Sequence, residues 1–150
     1  MVDSLLKLDK QLCFPLYVAS KSIISQYKPM LDELDLTYTQ YIAMMVLWEH
    51  KNLSVKKLGE ALYLDSGTLT PLLKKLENKD YLRRVRDNND ERIVNIILTE
   101  KGYNLEKKAQ VIPLKMKSCI NLEEKEANRL YDILYRIIDQ LNSDKQETVD

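Results

Sequence analysis

The chain has 150 residues, of which 45% are hydrophobic, and its 23 basic residues balance 23 acidic ones. This length and apolar content predict a single domain over residues 1–150 with a real core. The balanced charge identifies no partner, no apolar run approaches the roughly 20 residues of a membrane span, and the N-terminus lacks the features of a secretory signal. We therefore expect a cytoplasmic protein that does not contact a membrane.

The residue composition also limits the fold class and the kinds of functional site. Only three glycines and four prolines are present, which indicates a largely helical protein with short connections. The two cysteines, Cys13 and Cys119, fit no zinc spacing, and a single histidine, His50, excludes a histidine-based triad. The sequence thus predicts no metal, no cofactor and no catalytic residue. In a reducing compartment, redox chemistry suits the cysteines better than a permanent structural disulfide.

The N-terminal third predicts two helices. The first spans about Leu12 to Leu34, with Pro15 near its start and Pro29 bending or ending it. The second begins at Thr37, where Thr37 and Gln40 form a capping-box pattern. His50 is expected to end this second helix.

Two short helices follow around a tight turn. The first is capped by Ser54, and the second begins near Ser66 after the turn at Leu64 and Asp65. On the second helix, leucines repeat at the spacing of an inward face. Its other face is predicted to carry small, hydroxylic and basic residues: Ser66, Gly67, Thr68, Thr70, Pro71, Lys74 and Lys75.

The segment "YLRRVRDNNDERIVNIILT", residues 81–99, changes to a β-rich pattern. It predicts a hairpin with its tip at 87–90, flanked by Arg86 and Arg92, and it is the only strand pair that the pattern indicates. After Thr99 the helical period returns, with an interruption at Pro113 and a cap from Asn121 to Glu124. The polar tail from 142 to 150 is predicted to be disordered.

Helix, turn, helix and charged hairpin is the order of a winged helix-turn-helix, whose second short helix enters the DNA major groove. Small and hydroxylic residues on that helix suit close approach to phosphates and base edges, its lysines suit phosphates, and arginines at a hairpin tip suit the minor groove. Residues 54–92 contain nine basic and seven acidic residues, and this small basic excess is weak support for DNA binding. The alternative is a helical bundle with a solvated basic face.

The segment "LYLDSGTLTPLLKKLENKDYLRRVRDNNDERIVNIILTEKG" closely resembles the MarR family of winged-helix repressors, whose wing carries D-x-R followed by L-T-x-x-G. Those residues are Asp90, Arg92, Leu98, Thr99 and Gly102, of which Asp90 and Arg92 are predicted to contact DNA. "LCFPLYVASKSIISQYKPMLDELDLTYTQY" further resembles the OhrR-like branch that senses organic hydroperoxides. The resemblance implies a homodimer on a pseudo-palindromic double-stranded DNA operator, with dimerisation helices at about 9–34 and 100–141 and a winged helix-turn-helix at about 37–99.

Cys13 lies at the predicted start of the first helix, where unpaired N–H groups and the helix dipole favour a thiolate. The resemblance implies that Tyr27 and Tyr38 of the partner subunit donate hydrogen bonds to this thiolate, that Tyr17 lines the same pocket, and that peroxide oxidation releases the operator. Phe14, Pro15, Leu16 and Tyr41 would make this pocket apolar, and the resemblance implies that such a pocket favours organic hydroperoxides. Without the resemblance, Cys13 is a small buried hydrophobe and the tyrosines are edges of the core.

Three questions stay open at this stage. Cys119 is either the thiol that resolves oxidised Cys13 or a packing residue. The repressor could instead respond to a small aromatic ligand, with Cys13 a bystander in the effector pocket. A thiol peroxidase is a third possibility, but the sequence near Cys13 has no arginine or threonine to bind the leaving peroxide oxygen.

Overall fold

The computed structural model describes residues 5–146, and the chain divides into two compact units, residues 1–116 and 117–150. The prediction of a single domain stays a prediction. A 3-10 turn at Leu8–Lys10 is followed by α1 (Cys13–Asp32), α2 (Tyr38–His50), β1 (Asn52–Ser54), α3 (Val55–Leu62), α4 (Ser66–Asn78), β2 (Leu82–Arg86), β3 (Val94–Leu98), α5 (Glu100–Ala109), α6 (Val111–Cys119) and α7 (Glu124–Gln146). The predicted fold class, mainly α with a β wing, is confirmed. Within the described residues, no helix is long and apolar enough to cross a membrane.

Local sequence signals explain where α1 and α2 begin and end. Helix α1 starts at Cys13 and continues past Pro29 to Asp32, so the proline does not end it at once. Helix α2 starts with the predicted capping box, in which Thr37 Oγ1 accepts a hydrogen bond from Gln40 N and Gln40 Oε1 accepts one from Thr37 N. His50 ends α2 as predicted.

The two short helices α3 and α4 meet at the predicted turn. Ser54 caps α3 by accepting from Lys57 N at 3.2 Å, and Asp65 caps α4 by accepting from Thr68 N at 2.8 Å. The helices pack closely at Gly59, where a Cβ atom would lie 2.9 Å from the carbonyl oxygen of Leu64. The apolar face of α4 is buried as predicted, through Leu69, Leu72, Leu73 and Leu76.

The sheet has three antiparallel strands in the order β1-β3-β2, so the expectation of one strand pair was wrong. Strand β1 pairs Asn52 with Ile97 and Ser54 with Asn95. Three residues between two helices are too few to show an alternating pattern, and their partner strand lies about 40 residues away. The hairpin itself is confirmed, with β2 and β3 in register from Leu82–Leu98 to Arg86–Val94.

The L-T-x-x-G motif closes the base of the wing. Thr99 Oγ1 donates to the carbonyl of Asp80 and accepts from Gly102 N at 3.0 Å, which also caps α5. Gly102 packs so tightly that a Cβ atom would lie 2.0 Å from the carbonyl oxygen of Tyr81, and its own carbonyl accepts from the buried Trp48 Nε1 at 2.9 Å. This motif therefore joins the wing to the core.

The C-terminal boundaries differ from the predictions. The helix breaks at Gln110, between α5 and α6, and not at Pro113. The break places Pro113 in the first turn of α6, where the helix does not need the N–H group that proline lacks. Helix α7 begins after Glu123, whose N–H donates to Glu126 Oε2 at 3.0 Å, and not at a cap from Asn121.

The predicted disordered tail is also partly wrong, because α7 continues through 142–146. Asn142 Nδ2 donates to the carbonyl of Ile138 and Ser143 Oγ to that of Asp139, both at 2.8 Å. These bonds keep polar side chains compatible with the helix. Residues 147–150 of the tail lie outside the described residues.

Candidate nucleic-acid interface and cysteine site

Helix α4 presents a polar face opposite its buried leucines. All seven predicted DNA contacts on this helix are exposed: Ser66, Gly67, Thr68, Thr70, Pro71, Lys74 and Lys75. The Asp65 cap orients the first turn, and a Cβ atom at Gly67 would approach only the Asp65 carboxylate, at 3.2 Å. The arrangement can offer hydroxyls at the start of the helix and two positive charges further along it.

The tip of the wing holds an arginine in a defined direction. The Arg92 guanidinium makes a two-point contact with the Asp90 carboxylate, Nε to Oδ1 and Nη2 to Oδ2, each at 3.0 Å. The pairing lowers the pKa of Asp90 and raises that of Arg92. The Arg92 side chain is 90% exposed whereas Asp90 is 35% exposed. Asp90 thus positions Arg92, and the exposed guanidinium is the group available to a phosphate or groove.

A second aspartate shapes the tip itself. Asp87 Oδ1 accepts from Asn89 N at 2.9 Å and Asp90 N at 3.2 Å, while Oδ2 accepts from Asn95 Nδ2 at 3.1 Å. Those backbone bonds are the main reason that the pKa of Asp87 is lowered. Arg86, the last residue of β2, is exposed beside this turn. The ionised carboxylate therefore stabilises the loop from which Arg92 projects.

Two basic residues of the central segment, residues 54–92, form hydrogen bonds and ion pairs within the protein. Arg84 binds Glu77 through its backbone N–H at 2.9 Å and through Nη2 at 2.8 Å, joining α4 to β2. These bonds lower the pKa of Glu77. Lys79 contacts Asp35 and Gln40. The sequence did not reveal either link, because the partners are seven residues or more apart and share no helical face.

Three of the predicted pocket residues form an aromatic cluster, which we call the tyrosine cluster: Tyr27, Tyr38 and Tyr41. The Tyr27 and Tyr38 rings meet edge to face with centroids 5.0 Å apart, and Tyr41 lies 5.9 Å from Tyr27. Burial, and then the neighbouring phenols, raise the pKa of Tyr27 and Tyr41. The Tyr27 and Tyr41 phenols thus stay protonated and can donate hydrogen bonds.

Cys13 does not join this cluster within one chain. It is the first residue of α1, as predicted, and its side chain is exposed. Tyr27 lies 14 residues further along the same helix, which corresponds to about 21 Å of axial rise. No tyrosine side chain spans that distance, so any contact between Cys13 and the tyrosine cluster needs a second chain.

The remaining predicted pocket residues lie near Cys13 and away from the cluster. Phe14, Pro15 and Leu16 are exposed in the first turn of α1, whereas Tyr41 of the tyrosine cluster, which was predicted for the same pocket, is buried in the core. Tyr17 is exposed one turn from Cys13, with Lys21 Nζ 5.7 Å from its ring. Cys119 is exposed at the end of α6, a helix C-terminus where the dipole does not favour a thiolate.

An exposed tyrosine in the helix-turn-helix turn was not predicted as a site residue. Tyr63 ends α3 in the left-handed conformation, at φ 55°, and its side chain is exposed directly before α4. Tyrosine rarely adopts a positive φ. A glycine or asparagine at position 63 would have indicated a left-handed residue at the end of α3, but a tyrosine does not indicate one.

A helix-turn-helix with an exposed polar face on its second helix, and a wing that ends in an oriented arginine, defines a winged-helix DNA-binding type of protein. Residues 25–109 match the family model described as "Transcriptional regulator SarA/Rot". The chain is 47% identical to the organic hydroperoxide resistance transcriptional regulator of Bacillus subtilis, over 91% of this chain and 93% of that protein. The chain belongs to this MarR-like winged-helix family of transcriptional regulators, as the resemblance predicted.

Other relatives agree with this family. SarZ of Staphylococcus aureus is 47% identical over 93% of this chain and 95% of its own length. Among solved structures, the chain resembles reduced AbfR bound to DNA, with a TM-score of 0.77 and 30% identity over 94% of this chain and 99% of that one. AbfR is a protein of Staphylococcus epidermidis. AbfR has also been solved in overoxidised form on DNA and in a disulfide form.

Proposed function

We propose that this chain is a dimeric transcriptional repressor that binds double-stranded operator DNA and senses organic hydroperoxides through Cys13. The observation that supports this most is the position of Cys13 at the first residue of α1. There it is exposed and about 21 Å along the helix from Tyr27, so only a second chain can bring this thiol to the tyrosine cluster. Its relatives include a hydroperoxide-resistance regulator and a regulator solved on DNA in reduced and overoxidised form. The protein acts in the cytoplasm, where its operator is.

Two surfaces of the chain support a homodimer. The N-terminal half of α1 is exposed on all sides although it carries apolar side chains, namely Phe14, Leu16, Tyr17 and Val18. Helix α7 likewise exposes Leu130, Tyr131, Tyr135 and Leu141. Apolar faces of this extent mark an interface. A two-fold dimer presents two α4 helices to successive major grooves, about 34 Å apart, which fits a pseudo-palindromic operator.

The sensing step is stoichiometric. The Cys13 thiolate attacks the terminal oxygen of a hydroperoxide, the O–O bond breaks, the alcohol leaves after it takes up a proton, and sulfur becomes a sulfenic acid. Sulfenic acid no longer accepts both tyrosine hydrogen bonds, so the pocket rearranges and the separation of the two α4 helices changes. The sequence has no arginine before Arg83, which favours a sensor over a thiol peroxidase.

The test compares the wild type with Cys13→Ser in a binding titration on the DNA upstream of the protein's own gene. Cumene hydroperoxide with a low-molecular-weight thiol should weaken wild-type binding by roughly 5- to 150-fold. Cys13→Ser should bind like the reduced wild type and stay bound, because serine keeps a hydroxyl but is not oxidised. Release of Cys13→Ser by peroxide would contradict the proposal.

Two further arms separate the competing functions. Release of the reduced protein by an aromatic acid such as salicylate would indicate a ligand-responsive repressor. Consumption of many equivalents of peroxide per subunit, with a reductant present, would indicate a peroxidase. The proposal expects neither result.

A further inference from the structure

Lys79, the residue that follows α4, contacts the turn between α1 and α2 at two points. Its ammonium group donates to the backbone carbonyl of Asp35 and lies 3.2 Å from the Asp35 carboxylate. It also lies 3.3 Å from Gln40 Oε1. The lysine side chain is only 27% exposed. The ammonium group of Lys79 is thus held against the α1–α2 turn.

Gln40 makes this contact consequential, because it holds the start of α2. Gln40 is a polar side chain that is 3% exposed. Its Oε1 accepts from Thr37 N at 3.1 Å as part of the capping box, so the same oxygen serves both the cap and Lys79. Buried polar atoms need such partners. Tyr38 of the tyrosine cluster lies within this capped turn, between Thr37 and Gln40.

Other contacts anchor the α1–α2 turn and the backbone of Lys79. The turn after α1 is anchored by the buried side chains of Leu34 and Leu36, and Tyr81 Oη donates to the carbonyl of Leu34 at 3.1 Å. The carbonyl of Lys79 accepts from Lys101 Nζ at 2.8 Å. Lys79 and the start of α2 are thus joined directly through Gln40 and through the anchored α1–α2 turn.

We propose that Lys79 is a positioning residue that couples the tyrosine cluster to α4, by holding the end of α4 against the capped start of α2. This inference rests on the proposed function. When Cys13 of the partner subunit is oxidised and its bonds to Tyr27 and Tyr38 change, the α2 start moves and Lys79 carries α4 with it. Coupling of this kind needs a contact that both sites bias, and Lys79 provides one.

The experiment measures a release factor, defined as the operator Kd of the oxidised protein divided by that of the reduced protein. Lys79→Met keeps the length of the side chain but removes the charge and the hydrogen bonds. We expect the release factor to fall by roughly 2- to 30-fold, while reduced binding stays close to wild type. The conservative Lys79→Arg variant should restore most of the factor. Variants are compared at equal Cys13 oxidation, measured with a sulfenic-acid probe.

A matched control comes from the second ion pair of α4. Arg84→Met also removes one cation at the end of this helix, but its partner Glu77 belongs to α4 and not to the α1–α2 turn. Arg84→Met should change reduced and oxidised affinity by the same factor, leaving the release factor at its wild-type value. A merely structural role for Lys79 would produce this same result in Lys79→Met.

The outcomes are distinguishable. If the wild type does not release DNA on oxidation, the proposed function fails. If the wild type releases but Lys79→Met has an unchanged release factor, only the coupling role fails, and the apolar packing of α2 on α4 carries the change instead. If Lys79→Met does not fold, Asp35→Asn replaces it. Asparagine tolerates the positive φ of 53° at this position, and loss of the ion pair should lower the release factor in the same direction.

Discussion

At the residue scale, the structure separates two members of one motif. Asp90 and Arg92 both belong to the D-x-R wing pattern, and the sequence predicted DNA contacts for both. The carboxylate of Asp90 carries the charge of a phosphate, so it is unsuited to touch one, and the pKa of Asp90 is lowered because it holds Arg92. Of these two residues, Arg92 is the one whose side chain is almost fully exposed. Whether it contacts DNA stays a prediction.

We expect Arg92→Ala to weaken operator binding by about 1–3 kcal/mol and to reduce the salt slope by about one, because it removes both a phosphate partner and a minor-groove group. A salt titration of Kd on operator DNA measures both quantities. Asp90→Asn should cause a smaller loss, since the guanidinium keeps its charge and loses only its orientation.

Arg83→Ala is the matched control for this prediction. Arg83 is exposed and carries the same charge, but it lies near the start of β2, away from the tip. An Arg83→Ala protein that loses as much affinity as Arg92→Ala would show that general charge, and not the wing tip, accounts for the effect.

At the element scale, the wing depends on how its base is attached to the core. Thr99 caps α5, bonds the turn after α4 and orders the end of β3 through its N–H to the Tyr81 carbonyl at 3.1 Å. Gly102 permits α5 to lie directly against that carbonyl. The motif therefore acts through the backbone of three elements and does not provide a DNA-binding side chain.

Gly102→Ala should destabilise the fold, because the new Cβ would lie 2.0 Å from the Tyr81 carbonyl oxygen and backbone would have to move. Overpacking of this kind costs about 1–3 kcal/mol or more. The midpoint of urea unfolding, compared with that of the wild type at equal protein concentration, checks the value.

Gly67→Ala serves as the control substitution in α4. Its Cβ atom would meet only the Asp65 carboxylate oxygen at 3.2 Å, and alanine favours a helix by up to about 1 kcal/mol over glycine. We expect unchanged or slightly higher stability. An equal loss of stability in both variants would contradict the close packing at Gly102.

At the scale of the whole molecule, one chain does not complete the proposed sensor. Cys13 and the tyrosine cluster occupy separate parts of one protomer, so the proposed site needs a second chain. In this proposal, assembly links the oxidation of Cys13 to the spacing of the two α4 helices. Cys119 belongs to the compact unit of residues 117–150. The prediction for its role rests on its own position at the end of α6.

We expect Cys119→Ser to respond to hydroperoxide like the wild type when a low-molecular-weight thiol is supplied, because Cys119 lies at a helix C-terminus that does not stabilise a thiolate. Mobility-shift titrations of both proteins, with the oxidised samples also run on non-reducing gels, provide the comparison. A Cys13–Cys119 disulfide in the wild type, together with arrest of the variant at sulfenic acid, would instead make Cys119 the resolving thiol.

The sequence by itself determined the features that short-range physics controls. The predicted caps at Thr37 and Ser54 mark helix starts because each side chain accepts a hydrogen bond from the N–H group three residues further on. Apolar periodicity identified the buried leucines of α4, and the change of period identified the hairpin. Cys13 at the start of α1 followed from Pro15 nearby. These signals lie within a few residues of the structure they specify.

Only the tertiary structure decided what depends on distant partners. Strand β1 exists because β3 pairs with it, and its three residues carry no pattern of their own. The sequence did not show which basic residues are engaged within the protein: Arg84 is held by Glu77 and Lys79 by Asp35 and Gln40, while Arg92 stays exposed. The charge of a side chain is set by its type, but whether that charge faces solvent or a buried partner is set by packing between elements far apart in the chain.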